Sequence, residues 1–117
     1  MQLNHLDLSV PDLASAADFF ERGFGFKQVS SFGDEMRILV GEDRFVLALS
    51  RNQTAQYPPS FHIGFLQPSA AAVSQVHQRL LDAGIAVESA PARRGGAFLF
   101  HCRVPASVLV EVAYRPG

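Results

Sequence analysis

The chain has 117 residues, 48% of them hydrophobic and 18% charged, which suits one small globular core and excludes a disordered chain. Ten basic against eleven acidic side chains leave a formal net charge of -1, so there is no electrostatic footprint for nucleic acid or an anionic membrane. The single cysteine, Cys102, excludes an intrachain disulfide and a cysteine-rich zinc site and points to a reducing compartment. No charged segment followed by an apolar stretch stands near the start, and no apolar run approaches the roughly 18 residues of a spanning helix. The expectation is a soluble, cytoplasmic protein.

Residues 3–10, LNHLDLSV, alternate: Leu6, Leu8 and Val10 take one parity, His5, Asp7 and Ser9 the other. That period of two predicts a strand with one wet face. Pro11 and Asp12 punctuate it, and Asp12 is placed to cap a helix in which Leu13, Ala16, Ala17 and Phe20 form one apolar stripe. Gly23 stands where a closing glycine is expected. Strand-like runs follow at 26–32, 36–40 and 44–50, separated by turns at Gly33-Asp34 and Gly41-Glu42-Asp43.

The same order then returns. Residues 60–66, SFHIGFL, read as a strand, with Phe61, Ile63 and Phe65 opposite in parity to His62 and Gly64. Pro68 and Ser69 open a helix carrying Val73, Val76, Leu80 and Leu81, and Gly84 closes it. Further strands are expected at 85–89, 97–103 and 108–114. Each half is therefore β-α-β-β-β, and His5 and His62, 57 residues apart, hold matching places. The polar, proline-bearing stretch 51–59 reads as a linker between modules at about 1–50 and 60–117. Neither module is large enough to bury a core alone, so residues 1–117 are expected to form a single domain.

A helix covering one side of a sheet buries that side. The leucine and phenylalanine parity must face the helices, which turns His5, Asp7, His62 and Gly64 to the other face. In the last strand Val108, Val110, Val112 and Tyr114 share one parity and Leu109, Glu111 and Ala113 the opposite one. Glu111, a lone carboxylate in an apolar run, needs compensation by solvent, an arginine or a metal. Two imidazoles and a carboxylate are the donor set of a facial triad, which suits a divalent Fe, Mn, Ni or Zn ion and leaves positions open for a substrate.

The segments NHLDLSV, DLASAADFFERGFGF, FHIGF, LLDAGI and VLVEVAY resemble the vicinal oxygen chelate superfamily, which includes glyoxalase I, fosfomycin-resistance thiol transferases, extradiol dioxygenases and bleomycin-resistance proteins. The resemblance spans nearly the whole chain and is most specific from Asp12 to Phe26. It implies an α+β fold of two βαβββ modules, with curved mixed sheets around a metal-binding cleft and helices on the outer face. Carried over, the metal ligands are His5, His62 and Glu111. A fourth position, at the end of the first module, falls on Ala48, or on Leu47 if the register slips by one, where glyoxalase I-like members have a carboxylate. The His-His-Glu set is similar to the fosfomycin-resistance and dioxygenase pattern. The turn before the last strand keeps only Pro105 of the family's usual sequence, and a serine-rich potassium loop is replaced by residues 92–97, ARRGGA.

Six further side chains carry a reading. Counting back from Glu111 puts His101 on the inward face with Leu99 and Arg103, as an acid–base group or hydrogen-bond donor beside the metal. Arg37 is expected on the inward face of the first module, binding an anionic substrate group; for both residues the alternative is an ordinary sheet-surface role. His77, on the second helix, reads as a boundary residue. Cys102 has the opposite parity to His101 and should pack as a small hydrophobe. Arg93 and Arg94 beside Gly95-Gly96 read as a mobile, solvated loop.

The resemblance implies a metal-dependent enzyme whose divalent ion chelates a small substrate through two neighbouring oxygens, in lyase, ring-cleaving dioxygenase or thiol transferase chemistry. The alternative is a metal-free small-molecule binding protein of the bleomycin-resistance type. The resemblance also implies a homodimer in which His5 comes from one subunit and His62 with Glu111 from the other.

Overall fold

The computed structural model describes residues 1–117. The chain divides into two compact units, Met1–Gln56 with Pro105–Ser107, and Tyr57–Val104 with Val108–Gly117. The division at residue 56 falls inside the stretch read as a linker. No helix is long and apolar enough to cross a membrane.

The first unit contains strand β1 (His5–Val10), helix α1 (Leu13–Phe24), and strands β2 (Lys27–Phe32), β3 (Met36–Val40) and β4 (Val46–Arg51). Its sheet has the order β1-β4-β3-β2. β4 runs parallel to β1 and antiparallel to β3, because the α1 crossover returns the chain while the later connections are short. Asp12 caps α1 through its side chain, which accepts from the Ser15 amide at 3.0 Å. That hydrogen bond holds the Asp12 carboxyl below its usual value. Leu13, Ala16, Ala17, Phe19 and Phe20 of α1 are buried, as are Leu8, Val10, Leu39, Leu47 and Leu49 of the strands. The apolar stripe of the helix and one parity of the sheet thus make this unit's core. The helix runs past the expected stop. Gly23 is a buried helical residue, and Gly25, at φ 76°, closes the helix with its amide bonded back to Glu21 and Phe20. The left-handed turn is needed only where the stripe ends, and at Gly23 the stripe is still packing.

The second unit contains β5 (His62–Leu66), α2 (Ala70–Asp82), β6 (Ala92–Arg94), β7 (Ala97–Arg103) and β8 (Leu109–Tyr114), with sheet order β5-β8-β7-β6. Ser69 caps α2 by accepting from the Ala72 amide at 3.1 Å, and α2 packs on β7 and β8. Val73, Leu80, Phe100, Cys102, Val110 and Val112 are all fully buried. The two units thus share one architecture, two four-stranded mixed sheets each carrying a helix, as the repeat implied.

Two expected strands change, and one strand forms where a loop was expected. The run 44–50 begins later, because Glu42–Arg44 form a 3-10 turn with Asp43 and Arg44 at positive φ. The run 85–89 makes only a single bridge, Val87 to Cys102. The strand of that unit is instead β6, in the stretch read as a mobile loop: Arg93 pairs with Phe98 and Arg94 with Ala97 across a two-residue Gly95-Gly96 turn. Both glycines have positive φ, 54° and 85°, the backbone a tight antiparallel hairpin requires. A glycine pair that looked like slack is therefore the hinge of a β-hairpin.

Candidate metal centre

Register decides which side chains share a face. In the second sheet His62 pairs with Leu109 and Gly64 with Glu111 across the parallel β5–β8 ladder. His101 pairs with Glu111 and Arg103 with Leu109 across the antiparallel β7–β8 ladder. Paired residues point to the same side, so His62, Gly64, Glu111, His101 and Arg103 share the face opposite α2. His101 thus lies on the same sheet face as Glu111. Cys102 takes the other parity, is completely buried, and has its thiol pushed up to about 12 by that burial, with Glu88 adding to it.

The carboxylate of Glu111 is compensated within its own unit. Its Oε1 accepts from His101 Nε2 at 3.2 Å, and its Oε2 accepts from Arg115 Nη2 at 2.8 Å. The Glu111 side chain is only 12% exposed, against 53% for Arg115. A half-buried charge with both oxygens satisfied is what the cost of burying an unpaired carboxylate demands. Arg115 escaped the sequence reading because it lies beyond the strand, four residues from Glu111. The signal was there in parity: residues 111, 113 and 115 fall on one side, and Ala113 between them is too small to separate the charges.

His62 is exposed, and its Nδ1 lies 2.9 Å from the Ser60 carbonyl oxygen. A carbonyl only accepts, so Nδ1 donates, and in the neutral ring this leaves the lone pair on Nε2. A hydrogen bond of this kind from one ring nitrogen to a backbone carbonyl is the usual way a metal-binding imidazole is oriented. Gly64 keeps the neighbouring position on this face clear of any side chain.

In the first sheet His5 pairs with Val46 and Asp7 with Ala48. Ala48 therefore occupies the register position that Glu111 occupies in the second sheet, and Asp7 the position of Gly64. The first unit does carry a carboxylate on this face, one strand over from Glu111's counterpart, and Asp7 Oδ1 accepts from Ser50 Oγ at 2.7 Å. His5 is exposed on the same face.

Arg37 departs from the expectation. It pairs with Leu49, which puts it on the helix-packed parity, away from His5 and Asp7. At the strand end it reaches the N-terminus of α1 and lines a cleft of about 370 Å³ with Asp12, Asp34, Arg51 and Gln53. The face of Arg37 is set by the unbroken β3–β4 register, which aligns it with Leu49, a pairing that the alternation within β3 does not reveal. His77 is half-buried, its ring 5.1 Å from Phe100 in an edge-on contact, which matches a boundary role.

Of the proposed ligands, His62 and Glu111 belong to the second unit and His5 to the first. Within neither unit do three or more His, Cys, Asp or Glu side chains gather as a group able to hold a metal. The donor chemistry still fits a divalent ion: two imidazoles, one with its tautomer fixed, and a carboxylate whose present partners are hydrogen bonds rather than a covalent or buried lock.

Comparison with known proteins gives the lineage. A family model described as Glyoxalase/Bleomycin resistance protein/Dioxygenase superfamily matches residues 2–112. A solved structure described as a possible glyoxalase from Bacillus cereus is 33% identical, with a TM-score of 0.82 over 96% of this chain and 97% of that one. Lactoylglutathione lyase from Agrobacterium tumefaciens is 22% identical, TM-score 0.77, over 97% and 92% of the two chains. A glyoxalase/bleomycin resistance protein/dioxygenase from Alicyclobacillus acidocaldarius is 19% identical, TM-score 0.80, over 99% and 92%. The latter two likenesses bear on the fold alone. A search of curated proteins found no significant match. The chain belongs to the Glyoxalase/Bleomycin resistance protein/Dioxygenase superfamily.

Proposed function

We propose that this protein is a metal-dependent enzyme of the glyoxalase/dioxygenase type, with His5, His62 and Glu111 holding a divalent Fe, Mn, Ni or Zn ion. The observation that carries the reading is the Ser60 carbonyl fixing His62 with Nε2 free, on the same sheet face as Glu111. When bound, the ion supplies Lewis-acid polarisation of a small substrate that offers two neighbouring oxygens. The chain's own residues do the rest. His62 presents one lone pair in a set direction. Glu111 brings the negative charge, and His101 donates to Oε1 and so fixes the carboxylate's orientation. Gly64 leaves room beside Glu111 for a substrate group. Arg37, on the other face of its sheet, is left out of this set. The reaction is of the lyase, ring-cleaving dioxygenase or thiol transferase kind.

Because His5 and the His62–Glu111 pair lie in different units, we propose that the two modules act as one domain and that a homodimer completes the site, with the protein working in the cytoplasm on a small molecule. Elemental analysis of the purified chain and of Glu111→Gln after dialysis tests the ligand set. Bound metal should be near stoichiometric in the first and sharply reduced in the second; full metal content in Glu111→Gln would sink the triad. Size-exclusion chromatography with light scattering tests the dimer, and a monomer would refute it.

One observation favours a second reading, a metal-free binding protein of the bleomycin-resistance type. His101 and Arg115 already satisfy both oxygens of Glu111, so the face is electrostatically complete without an ion. Melting with and without chelator separates the two readings, since an ion bound only by the folded state raises the midpoint.

A further inference from the structure

We infer that Arg115 is a displaceable counterion for Glu111, standing in for the metal and competing with it. The inference rests on the proposed His5, His62 and Glu111 ligand set and adds a residue that sets the site's affinity. Glu111 is 12% exposed and lies in an apolar strand, so its carboxylate must be neutralised whether or not an ion is present. Two donors do this, and they differ in kind. His101 is held by its place in the ladder: it pairs with Glu111, and its backbone amide is bonded to Ser89 Oγ at 3.1 Å while its carbonyl accepts from Glu88 at 2.8 Å. Arg115 lies just past the end of β8, is 53% exposed, and reaches Glu111 Oε2 from the solvent side at 2.8 Å. It alone can swing into water without disturbing the sheet, because a half-exposed arginine beyond the last ladder pair, Phe98–Tyr114, keeps most of its hydration.

The geometry therefore gives Glu111 one permanent partner and one exchangeable partner. His101 on Oε1 keeps the carboxylate oriented throughout. The Arg115 guanidinium occupies Oε2, one of the two oxygens Glu111 would offer an ion, and would give up that bond to an ion held there. Each binding event then breaks one charge-assisted hydrogen bond, and the site's affinity is lower by that amount than the ligands alone would give. The released guanidinium stays beside the site as a cation.

Equilibrium dialysis of the full chain against Ni(II), with Arg115→Met and Arg115→Lys alongside the parent, tests this. A charge-assisted bond to a half-exposed arginine implies that Arg115→Met binds Ni(II) about three- to tenfold more tightly, with Arg115→Lys between it and the parent. A purely structural role would not produce that graded rescue. In thermal melts the rise on adding Ni(II) should be larger for Arg115→Met than for the parent, since its ion-free state has lost a partner for Glu111. Tighter binding by Arg115→Met, including the case in which only that variant binds, supports the inference. Unchanged or weaker Ni(II) binding by Arg115→Met, with the parent still binding, overturns the role of Arg115 and leaves the ligand set standing. Absence of Ni(II) binding in every chain overturns both.

Discussion

His101 and Glu111 stand opposite one another across the antiparallel β7–β8 ladder, and the imidazole Nε2 donates to Oε1 at 3.2 Å. The two residues are ten apart in sequence, so only the hairpin's register makes them partners. A double-mutant cycle of His101→Ala and Glu111→Gln should give a coupling energy of about 1 kcal/mol, typical of a hydrogen bond on a half-buried sheet face. Chemical denaturation of the four proteins measures it, and additivity within error would mean that the pair is not formed in solution.

The adjacent position on the same strand answers to different physics. Phe100 is fully buried against α2, in edge contact with His77. Phe100→Ala should cost about 3–5 kcal/mol through lost apolar burial and the cavity it leaves. The expected ratio between this loss and that of its neighbour His101 is a direct test of the strand's parity. Similar losses at the two positions would contradict the register.

Cys102 gives a pH signature. Burial raises its thiol from an ordinary 9.0 to about 12 in the folded chain. The folded value lies above the unfolded one, so the contribution to stability is complete below pH 9. It is lost progressively as pH rises toward 12, because the unfolded chain releases the proton first. Denaturation midpoints measured from pH 7 to 11 should fall in this upper range, and Cys102→Ala should flatten the fall. The native thiol should also resist alkylation at pH 8 until denaturant is added.

Helix ends are set by two residues of different chemistry. Gly25 holds φ at 76° as the cap of α1, and Gly25→Ala should cost about 1 kcal/mol for forcing a side chain into the left-handed region. Ser69→Ala, which removes the acceptor for the Ala72 amide, should cost about 1 kcal/mol as well. Thermal melts check both. A neutral Gly25→Ala would mean that α1 stops at Gly23, as periodicity alone suggests.

Arg37 supplies a negative control for the proposed metal set. Its pairing with Leu49 puts it on the opposite face of the first sheet from His5, so Arg37→Ala should leave metal content unchanged by elemental analysis. A marked loss would return Arg37 to the site.

Short-range pattern was enough to read the repeat, the helix caps at Asp12 and Ser69, the helix-facing parity of Leu8, Val10, Val110 and Val112, and the common face of His62, His101 and Glu111. These follow from periods of 2 and 3.6 and from local capping chemistry, which act over a few residues and leave their mark in the chain itself. Other features were decided only by the tertiary structure. Arg93 and Arg94 became strand rather than loop because β7 offered them an edge to pair with. Arg37 falls on the helix-packed face because the β3–β4 register pairs it with Leu49. Arg115 joined Glu111 because a side chain beyond the strand end reaches back along it, and the Nδ1 of His62 is engaged by a carbonyl whose direction no residue type encodes. Each depends on which backbone lies beside which, and that is settled by long-range pairing rather than by the pattern of any one segment.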